Sequence, residues 1–418
     1  MNLLLVAYFY PPCRDTGAHR PAALANWLRR LGHRVTVLTT SAYGTGDAAT
    51  EQGVVRSADL QRLRARLRGH NRVDALFDAD TYSGRPHVLS RIVVPEPLAL
   101  AWAPFALRDA LRANSRERFD CVITSSPPES VHLIGRALQR RGVPWVADLR
   151  DGWTFEPIRP EFPTAFQRRL DERLERRWLT AADAVVSVSR PAAADLRARL
   201  GLEPELIPNG WDPDLDAEGP GGSSADRLLD PERVSLVYTG RFGSYGRDPT
   251  ALIRALGVLA LEHPEDAVRL ELVVAGPLTQ DEANLMRRDV APARIAVAGT
   301  LDRTEALALQ RAADALLLVA SSRRTQLLNF KLFEYIAAGP PILALAAGTE
   351  AGRVAEEAGG NAVAADDVDA IVQALRRLVA GELEPADPAL RERYSYPGVA
   401  KRMAAVAQRA ISRSMQHS

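Results

Sequence analysis

Asn329-Phe330-Lys331-Leu332-Phe333-Glu334-Tyr335-Ile336-Ala337-Ala338-Gly339-Pro340-Pro341-Ile342-Leu343 reads as a loop, a short helix and the start of a buried strand. Asn329 is a helix-capping residue type, Gly339 supplies the stop, and an apolar run follows it. A helix opened this way points free backbone N–H groups at its entrance, where a phosphate is stabilised. Lys331 stands in the first turn, and Glu334 lies one turn deeper, where it can accept hydrogen bonds from sugar hydroxyls. The combination suits a nucleotide-sugar ligand.

Outward from this stretch, short apolar runs alternate with helical periodicity along the chain. In the first half the spacing predicts strands over 2–7, 34–38, 89–94, 120–124, 144–148 and 183–188, with helices such as 17–31 and 130–141 between them. In the second half it predicts strands over 233–238, 269–275, 294–298, 315–319 and 341–345. Such alternation means parallel sheets covered by helices on both faces. Two series of comparable size predict two doubly wound, Rossmann-like domains, at residues 1–212 and 233–395. The Pro-, Gly- and Ser-rich residues 213–232 form the linker, and a last helix in 396–418 returns to the first domain. Residues 41–88 read as a long irregular stretch.

With 418 residues, 46% hydrophobic and 25% charged, the chain has room for two full cores. Residues 1–210 hold 30 Arg and no Lys against 23 acidic residues, so the amino-terminal half is basic although the whole chain is at +1. Within residues 60–72, Leu60, Leu63 and Leu67 share a helical face amid Arg62, Arg64, Arg66, Arg68 and Arg72, a pattern that suits an anionic membrane surface or a helix packed on its own domain. The helix at 165–179, with Phe166, Leu170, Leu174 and Trp178 four apart, reads as structural. Cys13 and Cys121 form no Cys-x-x-Cys pair, and the seven His form no ligand-spaced group, so neither a disulfide nor a metal is expected. The first strand begins at once and no run of eighteen apolar residues exists. The expectation is a cytoplasmic protein, at most peripheral at the inner face of the membrane, with no nucleic-acid partner.

A second candidate element is Thr239-Gly240-Arg241-Phe242-Gly243-Ser244-Tyr245-Gly246-Arg247, entered from a predicted strand. Its glycines permit close backbone approach, and Arg241 and Arg247 offer two guanidinium forks to a diphosphate. With Gly240-Arg241, Arg247, Leu272-Val273-Val274-Ala275-Gly276-Pro277 and Lys331-Leu332-Phe333-Glu334-Tyr335, the second half resembles the donor domain of the family-4 glycosyltransferases, which have the GT-B fold. The resemblance covers nearly the whole chain, and its specific motifs concentrate in residues 236–345.

That resemblance implies two Rossmann-like domains facing a central cleft, and sugar transfer with retention of configuration from a nucleoside-diphosphate sugar. It implies that Arg241 and Arg247 hold the donor diphosphate, with the amides near Phe330, Lys331 and Leu332, while Glu334 binds the ribose. Gly240 gives the turn, Gly276, Thr300 and Leu301 border the nucleobase, and Gly17 approaches the donor phosphate from the first domain. Two departures stand out: the family's usual Lys is Arg247, and its first Glu, eight residues before Glu334, is Gln326, which is expected near the transferred sugar. No cofactor or metal is implied beyond the donor.

For the acceptor, a sugar, lipid-linked or small molecule, the residues to consider are Ser126, Asp148, Arg150 and Asp151 at the ends of two predicted strands. A carboxylate there orients or deprotonates a hydroxyl, or else pairs with Arg to brace a loop. Residues 127–130 with 146–151 are similar to a subgroup associated with cell-envelope polysaccharides. The rival readings are a GT-B-like sugar-nucleotide epimerase and a non-catalytic nucleotide-sugar-binding partner subunit. The first lacks acidic and His residues around the sugar, and donor binding without turnover would mark the second.

Overall fold

Leu3, Leu4, Leu5 and Val6 run without a polar alternate, the pattern of a strand covered on both faces. They lie in β1 (Asn2–Ala7), and none is more than 1% exposed. The computed structural model describes residues 1–13, 15–45, 51–67, 92–157, 161–216, 227–243, 246–321, 324–328 and 330–416. It divides into two compact units: Met1–Asn209 with Tyr396–Ser418, and Gly210–Ser395.

In the first unit β1 is joined by β2 (Arg34–Thr40), β3 (Val54–Ser57), β4 (Cys121–Ser126), β5 (Trp145–Leu149), β6 (Ala184–Ser187) and β7 (Glu205–Leu206). All pair in parallel, in the order β3-β2-β1-β4-β5-β6-β7. The second unit holds β8 (Val234–Thr239), β9 (Leu270–Ala275), β10 (Arg294–Gly299), β11 (Ala315–Val319), β12 (Ile342–Leu345) and β13 (Asn361–Val363). Its order is β10-β9-β8-β11-β12-β13, again parallel. Both sheets are thus doubly wound, reversing direction between β1 and β4 and between β8 and β11.

Ten of these strands fall where hydrophobic patterning predicts them. β3, β7 and β13 were not expected, because two to four residues are too few to display a period. β3 lies inside the stretch read as irregular. The strand expected over 89–94 is not formed in its described part: residues 92–94 are turn and bend. Pro95 and Pro97 directly follow and cannot donate to a ladder. Residues 89–91 lie outside the described residues.

The helix Ala165–Leu179 starts on a Thr164 cap. It buries Asp171 and Glu175 beside Leu179 while Phe166 stays 72% exposed, so its inner face is partly ionic rather than the apolar stripe the spacing suggested. Asp171 accepts from Trp153 Nε1 at 2.9 Å, and Glu175 takes Thr154 Oγ1 and Arg199. The helix Tyr396–Gln416 packs on the helix His19–Arg30 and on β4, β5 and β6, within the first unit.

One ion pair ties the first unit together. Arg20 and Asp148, both 0% exposed, meet through two hydrogen bonds, Nε–Oδ2 at 3.0 Å and Nη2–Oδ1 at 2.8 Å. The same guanidinium donates to the carbonyls of Ile207 and Pro208, fastening the chain as it leaves the unit. Ser125 Oγ donates to the second carboxylate oxygen at 2.8 Å. Arg20→Ala strands a buried carboxylate, so unfolding of this unit should lose about 3–5 kcal/mol. A denaturant midpoint equal to that of wild type would contradict this.

Candidate functional site

Open parallel sheets place ligands beyond the strand carboxyl ends where the order reverses. In the second unit that point lies between β8 and β11. β8 runs directly into Gly240-Arg241-Phe242-Gly243, and β11 leads through residues 320–328 to the helix Phe330–Ala338. The two stretches that stood out in the sequence therefore leave neighbouring strands on the same edge.

The turns there are built from backbone. Gly240 N donates to the Ala275 carbonyl at 2.6 Å, and Gly276 N to the Gly299 carbonyl at 2.7 Å, which makes a stepped row across β8, β9 and β10. Gly240 has φ +110° and Gly276 φ +148°, left-handed conformations that favour glycine. A Cβ on Gly276 would overlap the Gly240 carbonyl, and one on Gly240 would overlap the Lys331 ammonium. Stacking pins the turn: the Tyr238 and Phe242 rings lie 3.9 Å apart at 8°. The Tyr238 hydroxyl donates to the Arg241 carbonyl at 2.6 Å, and Gly243 N donates to Glu282 Oε1 at 2.7 Å. Glu282 is itself fixed by a capping box with Thr279. Arg241 is left exposed on a rigid turn.

Lys331 enters from the other strand. Its Nζ lies 4.5 Å from the Tyr238 ring centroid and donates to the Tyr238 hydroxyl at 3.4 Å. Burial and the neighbouring Arg247 charge push its pKa down to about 7, against an opposing pull from Glu334. Burial raises the Tyr238 hydroxyl, and Arg247 acts on it in the opposite sense. Arg247, Lys331 and Tyr238 thus share one electrostatic environment. The helix that carries Lys331 is held by Leu332, Phe333, Tyr335, Ile336 and Ala337, all buried. At about 1.5–3 kcal/mol per fully buried large apolar side chain, this face secures the helix well beyond its own propensity. Thr239 N donates to the Tyr335 hydroxyl at 3.2 Å, which joins helix to strand.

Glu334, the expected ribose ligand, is 17% exposed and accepts a 2.7 Å hydrogen bond from Arg303 Nη2. Neither Arg303 nor the Tyr238 contacts figured in the sequence expectations. The only signal for Arg303 was its place just after the β10 turn, since its partner lies 31 residues away. Thr300 is exposed and Leu301 half-buried in that same turn. Leu332 is fully buried, so only its backbone can face a ligand. Phe330 is half-buried, whereas Gln326 is 2% exposed and sits inside its loop rather than at the surface. The expected cap, Asn329, lies outside the described residues.

In the first unit the residues considered for the acceptor converge, and for Asp148 the structure shows the second of the two roles, a carboxylate paired with Arg. Asp148 is not a carboxylate facing open space; it is the buried partner of Arg20, because the Arg20 fork fits it on both oxygens. Arg150, 7% exposed, donates from Nε to the Ser126 carbonyl at 3.0 Å and from its other nitrogens to the Gly17 and Pro127 carbonyls. Gly17, Ser126 and Arg150 are thereby locked together beyond β1, β4 and β5. Asp151 is half-buried beside them in sequence. Among the described residues one trio could meet a metal, His263, Glu265 and Asp266, contrary to the expectation that no histidine joins such a group. Asp266 is already engaged by Arg376 at 2.9 Å. Cys13 and Cys121 are buried free thiols. No helix among the described residues is long and apolar enough to cross a membrane.

Two doubly wound α/β units with a basic glycine turn at a switch point have the GT-B architecture. Residues 16–210 match the family described as Glycosyl transferase 4-like domain, and residues 233–381 match Glycosyl transferases group 1. No curated protein aligns with the chain by sequence. In fold it is similar to sucrose-phosphate synthase from Thermosynechococcus elongatus, at 17% identity and TM-score 0.63, with 99% of each chain covered. It is likewise similar to α,α-trehalose 6-phosphate synthase from Burkholderia multivorans, at 16% identity and TM-score 0.62, over 100% of both chains. It is similar too to a presumed UDP-N-acetylglucosamine 2-epimerase from Listeria monocytogenes, at 14% identity and TM-score 0.58, covering 100% of this chain and 97% of that one. The chain is a glycosyltransferase of GT-B type.

The Lys331 environment has a measurable consequence. Its pKa in the fold, about 7, lies below the ordinary lysine value, so the charged form is disfavoured there. The resulting stability cost is complete below pH 7 and is relieved as pH rises toward the unfolded lysine's value of 10.5. An anion that binds beside Lys331 should bind best below pH 7 and weaken by at most about tenfold per pH unit above it. Lys331→Gln should flatten that profile, as read by titrating a nucleotide sugar from pH 6 to 9. An unflattened profile would remove Lys331 from the binding site.

Proposed function

We propose that this chain transfers a sugar from a nucleoside-diphosphate sugar to an acceptor hydroxyl with retention of configuration. The observation that carries the reading is the cation cluster of Arg241, Arg247 and Lys331 around the Gly240 turn at the β8/β11 switch point. Glu334 stands one helical turn from Lys331 as the ribose acceptor. As the glycosidic bond loosens, negative charge grows on the departing diphosphate. Rigidly held guanidinium and ammonium groups stabilise that charge more in the transition state than in the ground state, which raises the rate.

The leaving phosphate oxygen takes the acceptor proton on the same face in this reading, so no protein base is required. That agrees with Asp148 being committed to Arg20. Arg150 serves to hold the Gly17 turn, and Asp151 is the remaining carboxylate for orienting the acceptor. The acceptor is a sugar, lipid-linked or small molecule of cell-envelope polysaccharide type. The enzyme works at the cytoplasmic face of the membrane, in peripheral contact through the basic helix Leu60–Leu67, whose Leu60 and Leu67 are 52% and 81% exposed. No metal or cofactor takes part.

Arg241→Ala should cost about 2–4 kcal/mol of barrier, a hundredfold or more in turnover, while the fold stays intact. Sugar transfer and donor affinity near wild type in Arg241→Ala and Glu334→Ala would refute the assignment. Thermal-shift screening of UDP-, GDP-, TDP- and CDP-sugars identifies the donor, because a ligand of the folded state raises the midpoint. Donor stabilisation without turnover on any acceptor would point to a binding subunit. Exchanging Arg64 and Arg68 for Glu together should weaken sedimentation with anionic vesicles, and equal sedimentation would end the membrane part.

A further inference from the structure

We infer that Arg303 is a positioning residue that sets Glu334 to read the vicinal diol of a ribonucleotide, which makes the donor site selective for ribose over 2′-deoxyribose. The inference rests on the donor-site reading above and extends it to a residue outside the motifs that suggested that reading.

Arg303 is the first residue of the helix Arg303–Ala312, and its backbone position is fixed. The Asp302 side chain accepts from Glu305 N at 2.8 Å, and Glu305 Oε2 accepts from Asp302 N at 3.1 Å, so a reciprocal cap locks the turn after β10. From there the side chain reaches the helix Phe330–Ala338, against which its own helix packs. Nη2 donates to Glu334 Oε1 at 2.7 Å, a charge-assisted bond.

Two features make this pair a reading head rather than a surface tie. Among the described residues, Glu334 Oε2 accepts no hydrogen bond, and the remaining guanidinium N–H groups of Arg303 donate none. The carboxylate is nonetheless only 17% exposed, and the guanidinium 41%. An acceptor oxygen and a set of donors therefore lie side by side in a fixed orientation. A ribose 2′,3′-diol offers the complement: one hydroxyl donates to Oε2, and a ribose oxygen accepts from the guanidinium edge. A 2′-deoxyribose has only one of those hydroxyls, which leaves a polar group of the site unpaired. Without Arg303 the Glu334 side chain is free to rotate away. Arg303→Lys keeps the charge but loses the planar fork.

The test titrates UDP, GDP, ADP and CDP, and their 2′-deoxy counterparts, into wild type, Arg303→Ala, Arg303→Lys and Arg241→Ala. Wild type should prefer the ribonucleotide of its base. Arg303→Ala should weaken the ribonucleotide on the order of tenfold and leave the deoxynucleotide nearly unchanged, so the preference collapses. Arg303→Lys should restore part of it. Arg241→Ala should weaken both sugars alike, because it acts on the phosphates. If Arg303→Ala keeps the wild-type preference, or binds ribonucleotides more tightly, Arg303 is respectively a bystander or a competitor of the ribose, and the inference falls while the donor site stands. Failure of wild type to bind any of the eight nucleotides overturns the donor site itself and this inference with it, whereas binding of the deoxynucleotides alone overturns this inference only.

Discussion

The second unit is organised around the meeting of the Lys331 ammonium with the Gly240 turn over the Tyr238 ring. Two strands that are neighbours in the sheet but far apart in sequence must deliver those groups to one point. The β8–β11 pairing does this, and every support nearby keeps the meeting in place. Tyr238 and Phe242 stack beneath the turn, Glu282 holds its far end, and five buried residues anchor the lysine's helix. The meeting of these groups is thus a property of the packed fold.

The first unit solves a different problem by similar means. Its carboxyl edge is tied by guanidinium groups to backbone carbonyls: Arg20 to Ile207 and Pro208, Arg150 to Gly17, Ser126 and Pro127. Arginine suits this work because a planar fork satisfies several carbonyls at once without losing its charge. In a chain with 51 Arg and two Lys, the choice of lysine at 331 is correspondingly informative. Its compact ammonium lies where a Gly240 side chain would be.

Much of this was legible beforehand. The continuous apolar strands, the Gly240 turn and the Lys331–Glu334 helix stand in the sequence because their chemistry is local: period, cap, stop and glycine. What escaped was set by tertiary pairing. The sequence left Asp148 open between a carboxylate facing a ligand and one paired with Arg, and only the fold shows that Arg20, 128 residues away, claims both its oxygens. Arg303 was one arginine among many until the fold set it beside Glu334. β3, β7 and β13 are too short to carry a period, and the strand expected near 92–94 yields to the prolines that follow. The inner face of the helix Ala165–Leu179 misled for a related reason: Asp171 and Glu175 become core residues once Trp153 and Arg199 partner them.

The stepped glycines 240, 276 and 299 carry a lesson for anyone wishing to retune this enzyme. Along that rim the turns are held by peptide groups, and peptide groups are common to all twenty amino acids. A side chain added at 240 or 276 would collide with the Lys331 ammonium or with the neighbouring turn. A different path for the rim would have to come from inserting or deleting residues or from grafting whole loops.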